Sequence, residues 1–399
     1  MQTNRSYLGI EEEKLNALNA YHTAKEIYLQ PKLWEKTYDL LGAQKEALEN
    51  FLTPVLSKEN LGVVLTGAGT SAYIGEALEG VFMDYLRVAA RAVPTTHIVT
   101  HPEKYFLRRQ PTLLVSFARS GDSPESVSAV QLANEVCGEI YHLIITCNPD
   151  GELAKNHSGE NSFVFLLPPE ADDQSLAMTG SFSSMLLTGI LIARLKEFDK
   201  LSRQVDSLSK LGENFFEKYL PSLKEISEID FNRAVFLGSG LFSGIARESH
   251  LKLQELTDGK VICKHDTFLG FRHGPKAVIN NKTLVVYLFS NNPYSLNYEK
   301  DLVKAVKNGR KGIFNLGVMA QNVEDVQLDE KVIFSEDNEK LDEEFAALLA
   351  VLPAQTLGFF KSLYYGLKPD NPSESGAITR VVEGVKIYPY KKIVNERAF

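Results

Sequence analysis

Short apolar runs alternate with longer amphipathic stretches along most of this chain. Gly62 to Leu65, Thr112 to Phe117, Tyr141 to Thr146 and Phe163 to Leu167 are runs of strand length, and the segments between them carry helical periodicity. That alternation predicts an α/β fold in which a mostly parallel sheet is covered by helices. Ahead of it, residues 1 to about 60 read as amphipathic helices. Thr23-Ala-Lys-Glu26 has the form of a capping box, and Pro31 marks a break before a second helix through Trp34 to Leu52. A helical stretch from Ser181 to Phe198 and a polar, Lys/Ser/Glu-rich connection from Asp199 to Glu228 come next. The pattern then restarts, with a strand at Arg233 to Leu237, a Gly238-Ser239-Gly240 turn, a helix from Ser243 to Leu256 and a strand from Thr283 to Phe289.

The restart is a repeat. Gly67 falls on Gly238, Gly69 on Gly240 and Thr112-Leu-Leu-Val on Thr283-Leu-Val-Val, all at one offset of 171 residues. The expected organisation is a helical segment over residues 1–55, a first α/β domain over 56–205 and a second over 220–390.

Composition narrows the function. The 399 residues are 44% hydrophobic and 24% charged, within the globular range. A net charge of -8 argues against a nucleic-acid partner, and the basic runs Arg108-Arg109 and Lys391-Lys392 are too short to change that. Cys137, Cys147 and Cys263 show no metal-ligand spacing and read as reduced residues of a cytoplasmic protein. The polar N-terminus is no signal peptide, and the apolar run from Met185 to Ala193 is too short to cross a bilayer, so no membrane association is expected.

Candidate chemistry collects in two places. In Arg247 to Pro275, Glu248, Lys252 and Glu255 stand at i, i+4 and i+7, which places them on one helical face. On spacing alone such a set is a solvated surface pair as readily as a site. His273 follows in Phe-Arg-His-Gly-Pro, where a Gly-Pro turn can fix the imidazole. The second place is Ala118-Arg119-Ser120-Gly121-Asp122-Ser123-Pro124-Glu125-Ser126. Ser123 suits an N-cap and Pro124 the first helical position, so helix N–H groups, three serine hydroxyls and Arg119 converge where a phosphate would fit. The same residues also suit a plain capped helix start. Gly67-Ala-Gly-Thr70-Ser71-Ala72 matches a dinucleotide fingerprint, but Thr95 to Thr100 offers no acid to close a second strand. Thr70 and Ser71 add hydroxyls that suit a phosphomonoester better than a pyrophosphate.

Taken together, GAGTS at 67–71, SFARSGDSPES at 116–126, the Glu248/Lys252/Glu255 spacing and FRHGP at 271–275 resemble the sugar isomerase (SIS) domain family in its tandem form. The likeness is to the AgaS branch, described as galactosamine-6-phosphate deaminases or tagatose-6-phosphate ketose/aldose isomerases. Glu26-Ile27-x-x-Gln30-Pro31 also resembles the start of the isomerase half of glucosamine-6-phosphate synthase. The resemblance implies two three-layer αβα SIS domains with mostly parallel sheets, and a sugar phosphate held by Thr70, Ser71, Ser120 and Ser123. It implies Glu255 as the base between C1 and C2 and His273 as the ring-opening residue, reaching a neighbouring subunit's site in a homodimer or larger homo-oligomer. Gly270 and Arg272 replace the synthase's carboxylate and lysine before the histidine, and Ala377 falls where its C-terminal lysine would be, which leaves Lys252 or Arg380 to stabilise the enediol oxygen.

The expected substrate is a phosphorylated hexose or hexosamine, most directly galactosamine 6-phosphate, taken to tagatose 6-phosphate and ammonia without a metal or cofactor. Met1 is followed by Gln2 rather than a glutaminase cysteine, which favours the degradative direction. The alternatives are a plain aldose-ketose isomerase and a sugar-phosphate sensor, which would have no use for Glu255 and His273 together.

Overall fold

Two parallel five-stranded sheets carry the chain in a computed structural model that describes residues 5–157, 159–336, 340–382 and 384–390. A small hairpin precedes them, β1 (Ser6–Tyr7) with β2 (Ile10–Glu11). The first sheet contains β3 (Gly62–Thr66), β4 (Ala89–Ala92), β5 (Thr112–Ala118), β6 (Ile140–Thr146) and β7 (Ser162–Leu166). The second contains β8 (Arg233–Leu237), β9 (Ile262–Asp266), β10 (Thr283–Leu288), β11 (Phe314–Met319) and β12 (Glu330–Ile333). Their spatial orders are β4-β3-β5-β6-β7 and β9-β8-β10-β11-β12, the same permutation of chain order. Gly62 pairs with Thr112 and Arg233 with Thr283, so even the register repeats. The Lys391-Lys392 run lies outside the described residues.

Both sheets are covered on both faces. Val63, Leu65, Val115 and Phe117 join the main core with Ala234, Phe236, Leu284 and Val286 of the second sheet, so one apolar interior runs between the sheets. The outer faces have their own cores, around Val64, Leu114 and Ile144 in one and Val235, Leu237 and Val285 in the other. Period-two alternation along each strand produces this division.

The helices used below are α1 (Tyr21–Tyr28), α2 (Gln30–Ala43), α3 (Lys45–Leu56), α4 (Thr70–Leu86), α5 (Pro124–Val136), α6 (Gly180–Ala193), α7 (Ser202–Glu228), α8 (Leu241–Leu256), α9 (Pro293–Lys307) and α10 (Glu343–Tyr364). Thr23 does not cap a helix, because α1 has already begun at Tyr21. Its N–H and hydroxyl instead both donate to Asp370 Oδ1 at 2.8 Å, while Glu26 bonds residues 174 and 175. Pro31 follows the break at Leu29 and lies in the first turn of α2, where no intrahelical N–H is needed. The helix expected through Leu52 is two, α2 and α3, which meet at Gln44.

The polar connection expected from Asp199 to Glu228 is mostly the 27-residue α7. Val205, Leu208, Leu211, Phe215, Tyr219, Leu223 and Ile226 form its buried stripe, joined by Ser209 and Ser227, and the Lys and Glu residues that suggested a linker occupy the other face. The longest apolar helix is α10 rather than the run near Met185. Among the described residues it alone meets the length and composition needed to cross a membrane, yet 94% of that window is buried inside the protein. Its composition belongs to a core helix. Residues 5 to 20 also order onto the core, with Leu8 and Leu15 buried.

Helices α4 and α8 join the repeats. A Cβ on Gly244 would lie 2.6 Å from Ala77 N and 2.8 Å from Tyr73 O, so the two backbones touch there. No larger residue allows that approach.

Candidate active site

In the first sheet, chain order reverses between β3 and β5, which opens a crevice at their carboxyl ends. The turn leaving β3 is made by Gly67, whose Cβ would lie 2.5 Å from the Ser71 carbonyl carbon, and Gly69, at φ 55° and ψ -128°. Only glycine adopts that backbone freely. The turn delivers Thr70 and Ser71, both buried, to the first turn of α4. The neighbouring loop after β5 carries Ser120 and Ser123. Ser123 caps α5, accepting from Ser126 N–H, and its hydroxyl donates to Ser126 Oγ at 2.7 Å. Asn148 Nδ2 donates to Ser120 O at 2.9 Å and steadies the loop. Topology thus gathers four hydroxyl side chains and two helix N-termini at one crevice.

Arg119 is placed differently from the serines. Its Nη1 donates to Ser175 O and Leu176 O, each at 3.3 Å, and its Nη2 donates to Arg380 O. The guanidinium therefore ties the 175–176 turn and the C-terminal segment to the serine loop. Arg380 in turn bonds Asp173 O and pairs with Asp172 at 2.8 Å.

The helical face of α8 is not a solvated surface. Lys252 is 1% exposed, Glu248 0% and Glu255 22% in their side chains. Lys252 Nζ lies 2.6 Å from Glu255 Oε2 and 3.4 Å from Glu248 Oε1, and it donates to Thr70 Oγ1 at 3.0 Å. One ammonium thus bridges α8 of the second repeat to the glycine turn of the first. Burial raises Glu248 to about 8, although Lys252 pulls the other way. Burial opposes the charge on Lys252, but Glu248 and Glu255 overcome it and hold the ammonium pKa above its ordinary value. Glu255 is the member of the set with open access.

His273 is not brought to this face. It is exposed, in the crossover after β9. Phe268 and Phe271 of that crossover pack on Val235 and Leu237, whereas Ile245 and Leu253 of α8 pack on the side of Ala234 and Phe236. The second sheet stands between His273 and Glu255. Within one chain they are held apart.

No protein-family model matches the chain. A galactosamine-6-phosphate deaminase AgaS from Shewanella is 38% identical over 392 residues, with 97% of each chain covered. This chain belongs to the AgaS family. Among solved structures, a tagatose-6-phosphate ketose/aldose isomerase from Escherichia coli has a TM-score of 0.83 and 36% identity, covering 93% of this chain and 97% of that one. A Clostridium novyi structure given the same name provisionally has a TM-score of 0.94 and 41% identity, covering 97% of this chain and 100% of that one.

The AgaS-family chain uses its second crevice otherwise. Gly240 repeats the Gly69 conformation at φ 58° and ψ -131°. There, however, Ser290 Oγ and Asn291 N–H both donate to Glu343, and Asn292 caps α9. The chain's own carboxylate takes the donors that would face a ligand.

Sequence reasoning missed Asp173 and Asp370 and read Glu26 as half of a capping box, which it is not. Asp173, fully buried, accepts from Thr179, Gly180 and Ser181. Glu26 accepts from Gln174 N–H at 2.6 Å. The Glu-Ile-x-x-Gln-Pro likeness was the other signal for Glu26. Among the described residues, no group of three or more His, Cys, Asp or Glu side chains is arranged to hold a metal ion.

Proposed function

We propose that this protein converts galactosamine 6-phosphate and water to tagatose 6-phosphate and ammonia. The observation that carries the reading is the Lys252 ammonium, which joins Thr70 of the phosphate crevice to Glu255 of the acid-base helix. A sugar whose phosphate lies on Thr70, Ser71, Ser120 and Ser123 presents its reacting end to a carboxylate and a fixed cation. Binding energy at the phosphate then orients C1 and C2.

The steps follow from those groups. The ring opens, and Glu255 removes the C2 proton and returns it at C1, passing through an enolamine. Lys252 stabilises the oxygen on C1 while charge develops there. The product of this transfer is a 2-imine, to which water adds, and ammonia leaves as the C2 ketone forms. His273 assists ring opening in a second copy of the chain, because the sheet separates it from Glu255 of its own. The working enzyme is therefore a homo-oligomer. The scheme needs no metal, and three unpaired cysteines suit a cytoplasmic setting.

A second reading, plain isomerisation of tagatose 6-phosphate, shares every step but imine hydrolysis, and the name of the Escherichia coli structure favours it. A sensor role would leave the buried Glu248–Lys252 pair without a purpose. The test is ammonia release from galactosamine 6-phosphate and glucosamine 6-phosphate, with tagatose 6-phosphate isomerisation alongside, for wild type and Glu255→Gln. Ammonia from galactosamine 6-phosphate, abolished in the variant, is the expected result. Isomerisation without ammonia would select the second reading, and binding without turnover a sensor.

A further inference from the structure

We propose that Thr70 is a positioning residue whose hydroxyl aims the Lys252 ammonium, while the phosphate takes the Thr70 main chain and the neighbouring hydroxyls. The role rests on the proposed reaction for its kinetic consequences but not for its geometry. Thr70 and Lys252 stand 182 residues apart in sequence and are 5% and 1% exposed, yet Nζ donates to Oγ1 at 3.0 Å. Each repeat supplies one half of this contact.

An ammonium carries three protons. Around Nζ stand Glu255 Oε2 at 2.6 Å, Thr70 Oγ1 at 3.0 Å and Glu248 Oε1 at 3.4 Å. Both carboxyl groups belong to α8 itself, one turn before the lysine and one after it. With these alone, the flexible four-carbon stem could settle its charge anywhere along its own helix. Thr70 gives the ammonium a direction that α8 cannot supply. The backbone behind it is fixed, because the Gly67 and Gly69 turn sets Thr70 at the start of α4 and the close approach at Gly244 holds α4 to α8.

The main chain of Thr70 is left for the anion. Ser71 N–H donates to Ala68 O at 3.1 Å and Ala72 N–H to Gly69 O at 2.9 Å, whereas the Thr70 N–H has no acceptor among the described residues. The Ser71 hydroxyl likewise has no hydrogen-bond partner among them. Two adjacent hydroxyl residues thus divide the work, one facing the ammonium and one facing the crevice. The two duties separate in kinetics. A group that only binds phosphate acts alike on the ground and transition states and shows in KM. One that aims Lys252 acts while charge develops at the C1 oxygen and shows in kcat.

The experiment compares wild type with Thr70→Val and Thr70→Ala, which lack the hydroxyl, and Thr70→Ser, which keeps it. Urea unfolding shows that each is folded, and calorimetric titration with inorganic phosphate, whose Kd should stay close to the wild-type value, reads the crevice. With galactosamine 6-phosphate, kcat of the hydroxyl-free variants should fall roughly 10- to 100-fold, the weight of one hydrogen bond to a charged group, with KM changed far less. Thr70→Ser should recover most of kcat. The second readout needs no turnover. The Lys252 Nζ–H resonance, assigned by its loss in Lys252→Met, should move and exchange faster with water in Thr70→Val and Thr70→Ala but not in Thr70→Ser. A resonance unmoved by loss of the hydroxyl would overturn the proposal even if no form of the protein released ammonia. So would a hydroxyl-free variant with wild-type kcat and weakened phosphate binding, which would make Thr70 a plain phosphate ligand, or a Thr70→Ser enzyme as slow as Thr70→Val. A resonance that moves as expected in a wild type that releases no ammonia would uphold the contact and refute the reaction instead.

Discussion

Replacing Gly244 with alanine tests how the two repeats are held together to form one site. The added methyl carbon would stand 2.6 Å from Ala77 N, 2.8 Å from Tyr73 O and 2.9 Å from Ala77 Cα, all backbone atoms of α4. Carbon contacts settle at about 3.5–4.0 Å, so α4 and α8 must part by roughly 1 Å. Overpacking of this kind costs about 1–3 kcal/mol, and alanine in place of glycine returns about 1 kcal/mol of helix propensity. The net loss should be about 0–2 kcal/mol. Lys252 lies eight residues beyond Gly244 on α8, and Thr70 lies three before Tyr73 on α4. The separation therefore stretches the 3.0 Å bond between Lys252 and Thr70. A misplacement of about 1 Å between reacting groups can lower turnover by roughly 10²-fold, so kcat/KM should fall by roughly 10- to 100-fold. Urea unfolding and ammonia release measure the two effects. Wild-type stability with wild-type kinetics would refute the reasoning.

Further outcomes follow from the same contacts. Glu248→Gln should gain stability over wild type as pH rises from about 4.3, the ordinary glutamate value, toward 8, by on the order of 1 kcal/mol per pH unit. The sign follows from the raised Glu248 carboxyl, which keeps a proton in the fold that the unfolded chain releases. Unfolding at stepped pH measures it. Asp370→Ala removes the acceptor of His22 N–H, Thr23 N–H and Thr23 Oγ, and should cost about 1–2 kcal/mol by calorimetry. His273→Asn and Glu255→Gln should each be inactive alone, and their co-expressed hybrid should recover ammonia release. A hybrid without activity would place His273 outside the partner's site.

What could be read from the sequence was what local pattern encodes. The interior strands β3, β5, β6, β8 and β10 and the edge strand β7 are mostly apolar runs and stood out, whereas interior β11, Phe-Asn-Leu-Gly-Val-Met, did not. The edge strands β4, β9 and β12 are partly exposed and carry Ala-Ala-Arg-Ala, Ile-Cys-Lys-His-Asp and Glu-Lys-Val-Ile, which no apolar run marks. Thr95 to Thr100, weighed as the end of a second strand, is a short helix, and the true second strand, β4, has no acid either. Asp370 caps a helix 347 residues away, a contact no local window contains.

The candidate site was legible in its parts. Gly67 to Ser71 and Ser120 to Ser126 announce helix starts through residue type, and both are helix starts. The spacing of Glu248, Lys252 and Glu255 gave the face but not its burial, since a solvated helix uses the same pairs. Arg119 offered a charge beside a serine loop, and only the fold shows it bound to three carbonyls. His273 and Glu255 share a short stretch of sequence that passes from one face of a sheet to the other. Proximity along the chain there means separation in space.

The proton transfer at Glu255 is tested most directly with galactosamine 6-phosphate deuterated at C2. Wild type should release ammonia with a primary isotope effect, and the deuterium should appear at C1 of tagatose 6-phosphate or in water. Glu255→Gln should still bind the sugar phosphate and leave the label at C2. Ammonia released by Glu255→Gln at the wild-type rate would contradict the account.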